Sequence, residues 1–236
     1  MNITPPYKIR NRASNRGLSL VEILVVITII VVIAALSTMG FARARSTARG
    51  ATCTSNLRQI ATAMLSYASE NNGQLPPLED RTSANDGLKG IWTQIIADDS
   101  RLPMTNTKSG LLGTNAGVWA CPDCITNSRF HAGYGAAEGT VLKVKRSSKP
   151  DEKGSLRLSE ITQPERTWLV GDAANSAKDL KTSWYAIWPK PTSWDSAHVP
   201  AARHGGKVNV CMVDGHVETL SVKELSAPDK NYTLSK

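Results

Sequence analysis

Aromatic residues are scarce in this chain of 236 residues: they make up 6% of it, with only two Phe. The six Trp, all between positions 92 and 194, are therefore expected to fill the core of a small head. No Gly-X-Y period, internal repeat or low-complexity tract occurs, which excludes collagen. Cysteine is limited to Cys53, Cys121, Cys124 and Cys211. Cys121-Pro122-Asp123-Cys124 has no second CxxC to match it, which excludes a zinc ribbon, and no βαβ pattern surrounds it, which argues against a thioredoxin-like enzyme. No nucleophile–base motif and no EF-hand spacing is present. Acidic residues are missing from positions 1–16, which hold Lys8, Arg10, Arg12 and Arg16.

What is present is ordinary on average and uneven along the chain. Hydrophobic residues at 41% and charged residues at 20% exclude a disordered chain. The length allows one domain, or a short appendage plus one domain. A mean hydropathy of -0.24 conceals one apolar stretch: from Gly17 through Ala42 the only charge is Glu22. Residues 23–42 are 20 uncharged positions, about 30 Å of helix, which matches the hydrocarbon core of a bilayer. Their β-branched richness suits a strand, but no ordinary strand is this long, so a membrane helix is predicted. Ala34, Ala35 and Ser37 imitate a signal-peptidase site, although the apolar run exceeds that of a secretory signal. Arg43, Arg45 and Arg49 follow the run as closely as the leader precedes it, so basic residues alone leave the orientation open.

A carboxylate at Glu22, inside an apolar helix, costs several kcal/mol without a partner and marks a functional position. Arg16-Gly17-Leu18-Ser19-Leu20-Val21-Glu22 resembles the processing site of type IV prepilins and type II secretion pseudopilins. The resemblance implies cleavage after Gly17 by prepilin peptidase, N-methylation of Leu18, and Glu22 as the fifth mature residue. Leu18 stands where the family most often has Phe. The new α-amino group would be charged at neutral pH. In a filament, Glu22 of one subunit would then neutralise the amino terminus of its neighbour. Four of the 28 basic residues lie in the leader, so the formal net charge of +8 is partly a leader property and is not read as nucleic-acid binding.

Beyond the apolar run, Leu57, Ile60, Ala61, Met64, Leu65 and Ala68 recur at helical spacing, and Asn71-Asn72-Gly73 is a stop signal. One helix over 18–71 is predicted, followed by an irregular stretch to about 140 with a short helix at 91–97. Strands are predicted at 141–144, 167–170 and 184–188. A hairpin joins 207–213 to 216–220 around Asp214-Gly215, read as a type I′ turn. The fold class is α+β, with the second half of a long N-terminal helix packed on a C-terminal antiparallel sheet. Four segments are expected: a leader at 1–17, a transmembrane and assembly half-helix at 18–42, an amphipathic half-helix at 43–72 and a head at 73–236.

His204 and Asp214-Gly215 are separated by nine residues, which resembles the H-X9-DG signature of a bacterial prepilin-like family. Cys53 through Ile60, Cys121-Pro122 and Ile161-x-x-Pro164-x-x-Thr167 resemble it too. His204, Asp214 and His216 are read first as turn and capping residues, with a cation site as the alternative. If the head lies in an oxidising compartment, Cys121 and Cys124 are expected to form a local disulfide; a ligand set with His131 is the alternative. Asp172, Asp179 and Asp195 are candidates for calcium. No catalytic residue, resident metal or cofactor is expected.

The resemblance places the leader in the cytoplasm and the head in the periplasm, with the chain crossing the inner membrane once before it enters a filament or reaches the cell surface. It implies as partners the lipid bilayer, prepilin peptidase/methyltransferase, the inner-membrane assembly platform, and copies of itself or other pilins or pseudopilins. Two competing roles remain: a minor pilin whose Trp184, Trp188 and Trp194 bind a surface or glycan, and a membrane-anchored metal protein using Cys121, Cys124, His204 and Asp214.

Overall fold

The computed structural model describes residues 19–82, 90–100, 102, 117–124, 133–146, 154–188 and 197–225, the side chains of 36–40, 42 and 43 excepted. Gly17, Leu18, His131, Trp194 and Asp195 therefore lie outside the described residues. The chain divides into two compact units, Met1–Ala44 and Arg45–Lys236.

Helix α1 spans Leu20–Glu70, close to the predicted 18–71. Its start is capped from within: the Ser19 N–H donates to Glu22 Oε2 at 3.3 Å, and Ser19 O accepts from the Glu22 N–H at 3.0 Å. Its end is closed by the Gly73 N–H donating to Ala68 O at 2.7 Å, with Asn72 in the left-handed region at φ 53°. In the first unit every described side chain over 20–35 is exposed, from Leu20 at 81% to Ile23 at 47%. Among the described residues no helix is long and apolar enough to cross a membrane.

In the second unit, α1 turns one face inward. Cys53, Leu57, Ile60, Ala61, Met64 and Ala68 are buried, while Arg58, Gln59 and Glu70 are exposed. That separation is the predicted stripe with Cys53 added and Leu65 only half-buried, and it packs on Trp92, Ile96, Leu142, Leu169 and Val170 in one continuous core. Trp92 and Ile96 come from α2, Trp92–Ser100, which lies near the short helix predicted at 91–97.

The strands are β1 Glu79–Arg81, β2 Tyr134–Ala137, β3 Val144–Arg146, β4 Trp168–Ser176, β5 Ala186–Ile187, β6 Ala197–Pro200, β7 Lys207–Met212 and β8 Val217–Ser221. A six-stranded sheet has the order β5-β2-β4-β7-β8, with β6 also paired to β4; β1 and β3 form a separate parallel pair. Every pairing in the larger sheet is antiparallel except β2 with β5. Along β7 the two faces serve two cores. Val208, Val210 and Met212 join Trp168, Leu220 and Leu225, the last from the short helix α3, Val222–Leu225. Cys211 faces the α1 core instead.

The turn between β7 and β8 differs from the predicted type I′ form. Only Gly215 has positive φ, at 91°, and the Gly215 N–H donates to Met212 O at 3.0 Å. The Met212 N–H donates to His216 O at 2.9 Å, so the loop has three residues and ends on a left-handed glycine. Asp214 keeps negative φ and serves the turn through its side chain, accepting from the His216 N–H at 3.1 Å. At the other end of β7, Gly205 and Gly206 have φ of 64° and 79° and make a two-residue turn. His204 and Lys207 exchange backbone hydrogen bonds across it, at 3.2 and 3.3 Å. The two halves of the H-X9-DG pattern thus bracket a single strand.

Candidate functional site

Four segments distant in sequence bring their chemistry to one buried point in the second unit. Cys53 comes from the inward face of α1, at 0% exposure. Cys121 opens the turn that follows the 3-10 turn Gly117–Trp119, and is 1% exposed. Asp172 comes from β4 at 0% exposure. His204 precedes the tight turn into β7, its side chain 6% exposed. One ligand atom from each of the four lies within 4.8 Å of all the others.

The contacts are specific. Cys53 Sγ and Cys121 Sγ are 2.9 Å apart. His204 Nε2 lies 3.6 Å from Cys121 Sγ and 3.4 Å from Asp172 Oδ2. Asp172 Oδ2 also accepts the Asn209 N–H at 2.9 Å, whereas Asp172 Oδ1 is buried with no hydrogen-bond partner. His204 Nδ1 is 3.1 Å from Asp123 Oδ2, an ion-pair distance, although the angle leaves Nδ1 without a formal hydrogen bond. Arg49, from α1, holds Asp123 through its other oxygen at 3.0 Å.

The neighbouring backbone positions this group. The Arg203 guanidinium donates to four carbonyls, those of Leu180, Gly133, Ala173 and Thr182, and thereby fixes the residue before His204. On α1, Asn56 Nδ2 donates to Ala120 O and to the Tyr134 hydroxyl, each at 3.1 Å, anchoring the segment before Cys121.

Electrostatics follow from burial and proximity. Burial alone would lower the His204 pKa, but the Asp172 carboxylate and Cys121 outweigh it and push it up to about 10. The contact with Cys53, followed by burial, drives the Cys121 thiol far above its ordinary range. Burial raises the Tyr134 hydroxyl, with Cys53 and Cys121 adding to it. The Cys121 thiol and the Tyr134 phenol are thus disfavoured as anions, while the His204 imidazole holds its proton more tightly than a free one.

The residues singled out in the sequence are distributed differently from expectation. Cys121 and Cys124 are not bridged, and no disulfide occurs among the described cysteines. The turn joins their backbones, Cys124 N–H to Cys121 O at 2.9 Å, but the sulfurs engage different groups. Cys121 meets Cys53 and His204, while Cys124 donates to Lys181 O at 3.3 Å. Asp214 and His216 do not join His204; they pair with each other at 2.6 Å on the exposed hairpin, with Glu218 at 3.3 Å on the far side of the ring. Cys211 is buried, its thiol pushed up to about 12 by burial and by Asp214. Asp179 caps a loop, accepting from the Lys181 N–H at 3.1 Å. Trp92, Trp119 and Trp168 are core residues, Trp184 is partly buried, and Trp188 is 42% exposed. Neither Asp123, the partner of His204, nor Arg49, which pairs with Asp123, is signalled by the sequence: Asp123 stands between the two cysteines of the CxxC, and nothing in its spacing points to His204.

At the N-terminus, Glu22 is the one processing-site residue with a described side-chain contact, and its carboxylate faces the start of its own helix. Residues 12–38 match the prokaryotic N-terminal methylation motif. Residues 42–98 match a family model described as a protein of unknown function (DUF1559). The second match includes Cys53 through Ile60; His204 and Asp214 lie beyond it. No curated protein matches the chain, and no solved structure does. The first match is a prepilin-type methylation motif, and the two together make the chain similar to type IV prepilin-like and type II pseudopilin-like proteins.

Proposed function

We propose that this chain is the precursor of a structural subunit of a type IV pilus or a type II secretion pseudopilus. Prepilin peptidase cuts it after Gly17, the amine of Leu18 is methylated, and the apolar part of α1 inserts in the inner membrane before it enters a filament. The observation that carries this reading is the coincidence of the methylation motif at 12–38 with uncovered aliphatic side chains over 20–35. Covering each Val, Leu or Ile is worth about 1.5–3 kcal/mol, so this helix strongly favours lipid or other subunits over water. Copies of itself or other pilins, together with an inner-membrane assembly platform, are the partners that such a surface needs. The head faces the periplasm, and the chain performs no catalysis of its own. The three fully packed Trp side chains belong to the fold of the head rather than to a binding surface.

Mass spectrometry of the exported protein tests the reading. The expected amino terminus is Leu18, methylated, and Gly17→Trp retains the leader. A working protein that keeps residues 1–17 would overturn it.

A further inference from the structure

We propose that Cys53, Cys121, Asp172 and His204 bind one zinc ion that clamps α1 to the sheet of the head. The donor set is the first argument. Two thiolates and an imidazole select zinc over calcium or magnesium, and four protein ligands make a closed, structural site. A tetrahedral zinc with bonds of about 2.0–2.3 Å has ligand edges of about 3.3–3.8 Å. His204 Nε2 stands at 3.6 Å from Cys121 Sγ and 3.4 Å from Asp172 Oδ2, within that range. The 2.9 Å separation of Cys53 and Cys121 is shorter than a tetrahedral edge, and a side-chain rotation of either cysteine opens it.

The surroundings are the second argument, and they stand apart from the first. Zinc-bound histidines nearly always present their other nitrogen to a carboxylate or carbonyl. His204 turns Nδ1 toward the Asp123 carboxylate at an ion-pair distance of 3.1 Å, and Arg49 steadies Asp123 in turn. A fully buried carboxylate is costly unless all its acceptor capacity is used, yet Asp172 Oδ1 has no hydrogen-bond partner. A coordinated cation compensates that charge. A cavity of about 360 Å³ lined by Arg49, Pro122, Asp123, Leu180, Lys181 and Arg203 adjoins the site at Asp123.

Coordination replaces one proton on each thiol and the proton on His204 Nε2, all released to solvent; no electrons move. The ion would tie residue 53 of α1 to a loop, to β4 and to the turn before β7. The proposal concerns the head alone and stands whether or not the chain enters a filament.

The test uses the full-length chain in detergent, purified anaerobically without chelator, with elemental analysis and intact mass. The expected result is one zinc per chain. Cys121→Ser and Asp172→Asn each weaken zinc binding by more than about tenfold. Cobalt exchanged into the wild-type chain gives the intense visible bands of a tetrahedral ion and thiolate charge-transfer absorption. That spectrum decides the matter without a variant if the variants fail to fold. Three results would overturn the proposal: a metal-free chain under these conditions, a chain lacking one hydrogen from each of Cys53 and Cys121 because a thiol oxidase has joined them, or zinc retained unchanged by both variants.

Discussion

The two units solve opposite problems. Over 20–35 the first unit displays aliphatic side chains with nothing of their own chain to cover them. The second unit, from Arg45 onward, buries its apolar residues so thoroughly that both faces of its sheet are packed. One is stable only in company, and the other is stable by itself. The difference teaches that a helix of uniform secondary structure is not uniform in purpose. α1 carries a stripe where it fits a single protein core, and exposed aliphatic side chains over 20–35 where its own chain offers no cover.

Substitutions should therefore fall into two classes that do not mix. The largest effect is expected at Glu22. Glu22→Ala removes the carboxylate but keeps the apolar surface, so membrane insertion persists while filament incorporation, measured by shear fractionation, drops at least about a hundredfold, in line with the cost of an uncompensated charge. Thermal unfolding of the head stays unchanged. Normal incorporation would end the charge-pairing idea.

Next comes Met64→Ala, which empties a fully buried site in the α1 core. It is expected to cost about 2–5 kcal/mol, readable as a lower denaturation midpoint of the head. Ile30→Ala, at an exposed position in the first unit, leaves that midpoint where it was. A matching loss from both would abolish the contrast between the units.

The smallest effect is electrostatic. Burial tends to lower the pKa of His216, but Asp214 and Glu218 outweigh it and the folded value is raised. The pairing therefore stabilises the fold in full below the unfolded value of about 6.5, and this contribution is lost as pH rises through the raised folded value. Because the ring is 38% exposed, the effect is a few tenths of a kcal/mol. Wild type should exceed His216→Gln in urea midpoint at acidic pH by more than it does at alkaline pH; an unchanged gap would remove His216 as the titrating group.

Local features were legible in the sequence and remote ones were not. The α1 stripe and the β7–β8 hairpin could be read because period and turn chemistry act over a few residues. β2 escaped because Tyr134-Gly135-Ala136-Ala137 has little strand propensity; β4 and β5 on either side hold it in the sheet. β4 runs on past 170 to Ser176, through Gly171 and Asp172, which favour turns in isolation. The buried polar site was legible only in part, as Cys121 with His204, for the same reason. Cys53 and Cys121 lie 68 residues apart, and Cys121 and His204 lie 83 apart. The sequence alone points to Asp172 as a calcium candidate and to His204 as a turn residue or, with Cys121, a metal ligand. Only the pairing of β4 with β7 beneath α1 makes them neighbours.

The strand between His204 and Gly215 acts as a spacer of fixed gauge. Its tight turns sit at either end, and its side chains are divided between two cores. One inserted residue would exchange those cores' occupants or break a turn. Length, more than composition, is therefore what this stretch must preserve, and valine, isoleucine or leucine should interchange there more readily than a single residue could be gained or lost.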